Sequence, residues 1–384
     1  MSTPQTSPNR AGSGAAGIVF VDCPAMRAVS TAPQRQTSPI ALAQPRPPMP
    51  LRQADRGTGQ APQRSRRREV VVSGKRVKTV DVHAHCSVPE AMAMVSSSLP
   101  GPQQLLFSRI EDRIAAMDAQ GIDVEALSIN PFWYGAERDV AGPLIKLQNE
   151  KLAEFCAAHQ ERFVAFATVA LQHPDLAVEQ LVYGVKALGL RGVSVGGSVN
   201  GEELAAEKFH PVWAKAEELG VLVFLHPQGT AELHARLGGN GGLDNAIGNP
   251  LETTLALSHL IFEGTLDRFP GLKLCAAHGG GYLPSYAARS DAIGVTFPQR
   301  VKPLKKRPTE YLKQLYYDSI VFTAEALRHL AAETGSSQIV MGTDYPYPWT
   351  STSVDHILET PGFSDAERTA MLGGTAAKLL GIEG

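Results

Sequence analysis

The chain has 384 residues, 43% of them hydrophobic, and a formal net charge of −2. That is enough apolar sequence for one large core, and an α/β barrel commonly spends about 250 residues on a single domain. The near-neutral balance argues against a nucleic-acid partner, and the lack of any run of about 18 apolar residues argues against a spanning helix.

The four cysteines, Cys23, Cys86, Cys156 and Cys275, form no CxxC pair, which points to reduced thiols and a cytoplasmic enzyme rather than a disulfide framework. Arg66-Arg67-Arg68 is followed by Glu69 and three valines and then by polar residues, so no signal peptide is expected. Residues 1–79 hold 13 Lys or Arg against 3 Asp or Glu. Most of that excess lies in residues 1–68, where Pro45, Pro47, Pro48 and Pro50 cluster. Such a stretch buries too little apolar surface to repay its ordering and is read as a disordered extension. Its function as a basic arm for an anionic partner is the less favoured reading.

From residue 69 to 384 the pattern becomes that of one folded unit. Glu69 to Val72, then Ser73-Gly74, then Lys75 onward reads as a hairpin feeding a strand. Strands are expected at 77–83, 124–130, 163–170, 190–196, 221–226, 272–278, 315–321 and 338–344. Helical patterns separate them, among them Arg109 to Gln120, Leu144 to His159 and Pro211 to Leu219, and a last helix runs from Asp365 to Leu380. Eight strands each followed by helical sequence predict a (β/α)8 TIM-type barrel. Gly238 to Gly242 belongs to a long loop after strand five that could serve as a lid.

Four of these strands end in groups able to bind a metal or move a proton. Strand one ends Val-Asp-Val-His83-Ala-His85, and its period of two turns both imidazoles to one face. Strand five ends at His226, strand six at His278 and strand eight at Asp344. The C-terminal strand ends of a barrel form one rim, so residues far apart in sequence become neighbours there. Imidazole nitrogen with carboxylate oxygen suits Zn²⁺, with Mn²⁺ as the alternative, and such an ion lowers the pKa of a water it holds toward ~7. His159, His210, His259, His329 and His356 fall in or beside helices and read as structural, as does His173 before Pro174. His234 in the lid could approach a substrate. The Gly279-Gly280-Gly281 run lacks nucleotide-loop spacing and reads as a tight turn into a helix.

The chain resembles the amidohydrolase-related family that includes aminocarboxymuconate-semialdehyde decarboxylase, from about residue 77 onward. DVHAH at 81–85, HPQG at 226–229, AHGGGYLPSYAAR at 277–289 and GTDYPYP at 342–348 carry the resemblance. It implies that His83, His85, His226 and Asp344 bind the metal and that His278 is the acid/base catalyst beside it. It also implies that Arg289 reaches the substrate carboxylate from a neighbouring subunit, hence a homodimer or higher homo-oligomer. No lysine occurs between Ala187 and Glu207, which favours one metal ion over two. No Lys or Arg occurs between Cys86 and Ser108, where the semialdehyde decarboxylase uses a second arginine. An aromatic or less charged acid then fits better, stacked near Phe132, Trp133 and Tyr134. The expected reaction is non-oxidative decarboxylation of a phenolic or muconate-type carboxylic acid. Hydrolysis of an amide, lactone or vinylogous C–C bond by the same site is the first rival, and a metal-stabilised binding protein the second.

Overall fold

The computed structural model describes residues 67–95, 109–229, 236–347, 349 and 352–383. The expected disordered extension, up to residue 66, lies outside the described residues, and so does His234.

All eight expected strands form: β1 (Val80–His85), β2 (Val124–Ser128), β3 (Phe163–Ala165), β4 (Gly192–Val195), β5 (Leu222–Leu225), β6 (Lys273–Ala276), β7 (Tyr316–Asp318) and β8 (Ile339–Val340). Their neighbours pair in parallel, as β1-β2-β3 and β4-β5-β6-β7-β8. Two seams close the ring. At the first, Ala167 bridges Val193 and the Ser194 amide donates to the Ala167 carbonyl at 3.0 Å. At the second, Ala84 bridges Tyr345, the Val82 amide donates to the Met341 carbonyl at 3.0 Å, and the Asp344 amide donates to the His83 carbonyl at 2.8 Å. Strand order therefore follows sequence order around a closed TIM-type barrel.

Helices cover the outside: α1 (Ile110–Gln120), α2 (Arg138–Ala158), α3 (Pro174–Val182), α4 (His210–Leu219), α5 (Asn249–Phe262), α6 (Leu283–Thr296), α7 (Ala324–Thr334) and α8 (Thr375–Leu380). Leu144, Ile145 and Leu152 of α2, Trp213 of α4 and Leu257 of α5 bury their apolar stripe in one large cluster against the strands. Inside the ring a smaller cluster joins Val80, Val82, Phe166 and Phe224, with Phe166 stacked on Phe224 at 5.5 Å.

The closing helix departs from expectation. Asp365–Thr369 and Thr375–Leu380 are separated by a π-helical turn, Ala370–Gly374. There the helix meets the start of β1, and a Cβ on Gly373 would lie 2.1 Å from the Lys78 carbonyl oxygen. The bulge accommodates that approach. The N-terminal hairpin pairs Val71–Val72 with Lys75–Arg76, and Ser73 and Gly74 take φ of 49 and 76, the left-handed pair of a two-residue hairpin turn. Arg67 pairs with Asp123, and Arg68 donates to Asp355 at 3.0 Å. The chain is thus tied to the barrel two residues ahead of the boundary expected at 69. Among the described residues no helix is long and apolar enough to cross a membrane.

Candidate metal centre

The rim gathers side chains from five strand ends. His83 and His85 close β1, His226 follows β5, His278 follows β6, Asp318 closes β7, and Asp344 follows β8. On β1 the pairing register against β2 shifts between Asp81 and Ala84. Val82 belongs to the inner cluster, yet His83, within the same shift, also meets Phe224, with ring centroids 5.1 Å apart. An irregularity of this kind re-aims a side chain without ending the strand.

The groups converge. His83 Nε2 and His85 Nε2 are 3.0 Å apart, and Asp344 Oδ1 lies 3.1 Å from the first and 2.8 Å from the second. One ligand atom from each of His83, His226, His278 and Asp344 lies within 4.8 Å of the others. The His226 ring stands 4.9 Å from His83, 4.7 Å from His85 and 5.3 Å from His278, centroid to centroid. His278 Nε2 is more distant, 3.8 Å from Asp344 Oδ2, and its side chain is 15% exposed against 0% for His83.

Asp318 organises this cluster. Its Oδ2 accepts from His83 Nδ1 at 2.7 Å and from the His278 amide at 2.9 Å, and its Oδ1 accepts from the Gly279 and Ile320 amides at 2.9 and 3.1 Å. A proton on His83 Nδ1 leaves Nε2 as the lone pair that faces the cluster, the tautomer a metal ligand requires. The same carboxylate holds His278, whose φ is 55, in a left-handed conformation that a non-glycine residue adopts only under constraint. The glycine run after it is the expected tight turn into α6. A Cβ on Gly281 would fall 2.1 Å from the Pro250 carbonyl oxygen. Asp81, wholly buried, accepts from the His83 amide at 2.9 Å and the Thr343 amide at 3.1 Å, tying β1 to the chain leading to Asp344.

Burial opposes the charged form of His83, but the Asp344 and Asp318 carboxylates outweigh it and push the imidazolium up to about 10. Burial also opposes the Asp344 carboxylate, which His83, His278 and His85 nevertheless hold well below the usual range. His226 is lowered well below the ordinary histidine value, chiefly by burial. Its Nδ1 and that of His85 are buried without a hydrogen-bond partner. Keeping such nitrogens dry costs about 1–3 kcal/mol each. An ion could relieve that cost at His226, whereas His85 already turns Nε2 toward Asp344, so its Nδ1 lies on the far side of the ring. Buried imidazoles converging on an ionised carboxylate, two of them held neutral and His83 able to give up its second proton to an incoming ion, are the donor set of a divalent metal site.

The remaining candidates are dispersed. Arg289 is exposed on α6, and no ion pair to it forms among the described residues. Trp133 is fully buried, donates Nε1–H to the Val169 carbonyl at 2.9 Å, and packs edge-on against Phe132 and Tyr134. That corrects the expectation of a substrate contact, because the ring packs its own loop. Phe132 is only partly buried and keeps surface for a ligand. Asp318, Asp81 and Trp349, whose Nε1 donates to Asp344 Oδ2 at 2.7 Å, were not anticipated. Asp318 closes a strand just as Asp344 follows one, so the signal that marked Asp344 was present in Tyr316-Tyr317-Asp318.

The amidohydrolase family model matches residues 80–382. A 2-amino-3-carboxymuconate-6-semialdehyde decarboxylase from Dictyostelium discoideum is 30% identical over 287 residues, covering 71% of this chain and 76% of that protein. A gamma-resorcylate decarboxylase from Rhizobium sp. (strain MTP-10005) is 28% identical over 327 residues, covering 79% and 98%. Among solved structures, a 5-carboxyvanillate decarboxylase from Novosphingobium aromaticivorans, complexed with manganese and 4-hydroxy-3-methoxy-5-nitrobenzoic acid, matches with a TM-score of 0.71 and 25% identity over 80% of this chain and 96% of that one. With a histidine–aspartate metal site on the rim of the same barrel, the chain belongs to the amidohydrolase superfamily, as a metal-dependent enzyme of the family related to aminocarboxymuconate-semialdehyde decarboxylase.

Proposed function

We propose that the enzyme removes CO2 from a phenolic, aromatic or muconate-type carboxylic acid without a redox cofactor. His83, His85, His226 and Asp344 would hold one divalent ion, and His278 would move the proton. One observation carries the reading: the most open imidazole of the cluster, His278, stands beside a buried ligand set in a chain whose relatives are decarboxylases. When bound, a divalent ion acts as a Lewis acid that grips substrate oxygens and draws off their charge. His278 then gives a proton to the carbon that keeps the electron pair of the breaking C–C bond, while CO2 leaves. Asp318 keeps His278 aimed through its backbone amide, so the proton is delivered from one direction.

Zn²⁺ is our assignment on the nitrogen-rich donor set, with Mn²⁺, held by the related carboxyvanillate decarboxylase, as the alternative. Arg289, exposed on α6, is available to reach a carboxylate in a neighbouring subunit, and we infer a homodimer on that basis. Phe132 offers a ring edge for an aromatic substrate. Hydrolysis by the same groups is not favoured, since the relatives named above are decarboxylases.

The test is CO2 release from 2,6-dihydroxybenzoate, 5-carboxyvanillate and aminocarboxymuconate semialdehyde, against acid release from an amide and lactone panel. Turnover of at least one acid, lost on chelation and regained with Zn²⁺ or Mn²⁺, is expected; ion-dependent hydrolysis without CO2 would overturn the proposal. A second outcome concerns Asp318→Asn, which weakens the acceptor at His83 Nδ1 and should lower ion affinity about 10–100-fold. Equilibrium dialysis against a competing chelator reads it, and an unchanged affinity removes Asp318 from the site.

A further inference from the structure

Asp344 divides its two oxygens. Oδ1 faces His83 Nε2 and His85 Nε2 at 3.1 and 2.8 Å. Oδ2 takes the indole N–H of Trp349 at 2.7 Å and stands 3.8 Å from His278 Nε2. An indole nitrogen only donates, so this bond favours an ionised Oδ2 and resists rotation of the carboxylate. The indole is itself braced. It stacks on Tyr347 at 5.3 Å with an interplanar angle of 12°, and Tyr347 in turn meets the His85 ring edge-on at 6.4 Å. Phe322, at φ 62 and 59% exposed, closes against it at 6.3 Å. Trp349 also lines a cavity of about 400 Å³ together with Ser319, Ile320, Phe322, Thr352 and Ser353. One ring therefore bonds the cluster and walls the adjoining cavity.

We propose that Trp349 is a positioning residue: its N–H ties up Asp344 Oδ2, so the carboxylate offers a single oxygen to the ion and leaves proton transfer to His278. The proposal rests on the ion-holding role given to Asp344 above.

Of the three tryptophans, Trp133 and Trp213 are buried with their N–H groups on the Val169 and Leu204 carbonyls. Tryptophan emission during Mn²⁺ titration therefore isolates Trp349 by difference. Wild-type protein should show quenching on Mn²⁺ uptake. Trp349→Phe should lose that component and bind Mn²⁺ about 10–100-fold more weakly, with unchanged far-UV circular dichroism. Trp349→His, which keeps a ring N–H, should recover most of the affinity. If Trp349→Phe binds Mn²⁺ within about twofold of wild type, the positioning role is wrong while the ion site stands. If wild-type protein takes up no Mn²⁺ or Zn²⁺, the ion-holding reading falls and takes this one with it.

Discussion

His278→Asn is expected to lower turnover about 10²–10⁴-fold while leaving the bound-ion content unchanged, whereas Asp344→Ala loses both. The contrast is needed because His278 stands close enough to His83, His226 and Asp344 to serve as a ligand itself. Geometry separates the roles. Asp344 Oδ1 lies 2.8 and 3.1 Å from His85 and His83, but His278 reaches only the other oxygen, at 3.8 Å, and from the most open position. Asparagine is the right probe for a backbone reason. His278 has φ 55, and among non-glycine residues asparagine tolerates that left-handed region best. The turn and its amide bonds to Asp318 should survive while the proton carrier is lost. Metal analysis of the purified variant beside a CO2 assay decides it: loss of the ion with the imidazole would make His278 a ligand.

Much of this centre was legible before folding because each part had a local signature. His83 and His85 sit two apart on a β-branched run, and His226, His278 and Asp344 each follow a short apolar strand. Barrel topology then brings strand ends together whatever their separation in sequence. What escaped were contacts that exist only across the ring. Nothing adjacent to Asp318 says that it will meet His83, 235 positions earlier, through Nδ1, and nothing around Trp349 says that its partly exposed ring will bond Asp344. Trp133 misled for the opposite reason: an aromatic triplet at a loop looks the same in sequence whether it faces a ligand or fills its own loop. The π-helical turn at Ala370–Gly374 was hidden because apolar periodicity continues through it, and only the approach to Lys78 requires it.

Arg113→Leu should destabilise the protein by about 3–5 kcal/mol at neutral pH. Arg113 of α1 and Glu125 of β2 are 0% and 1% exposed, with Nε donating to Oε2 at 2.5 Å. Removing the guanidinium strands a carboxylate in the interior. Burial already raises Glu125 above the usual range, against the lowering effect of Arg113, so the substitution raises it further. The unfolded chain releases that proton near pH ~4.3, while the folded variant retains it to a higher pH. Wild type shares the unfolded value, so the pH-dependent part of the deficit should grow only as pH rises from the folded wild-type value of Glu125 to that of the variant, and level off above it. Urea unfolding of both proteins at several pH values measures it, and a deficit that does not change with pH would sink the account. Adding Glu125→Leu should restore most of the stability and remove the pH dependence. It should not restore the site. Arg113 Nη1 also donates to the His85 carbonyl at 2.9 Å, and its guanidinium lies 4.6 Å from the Tyr345 ring centroid, beside Asp344. The double variant is thus expected to melt near wild type yet bind its ion more weakly, which would separate what Arg113 does for the barrel from what it does for the rim.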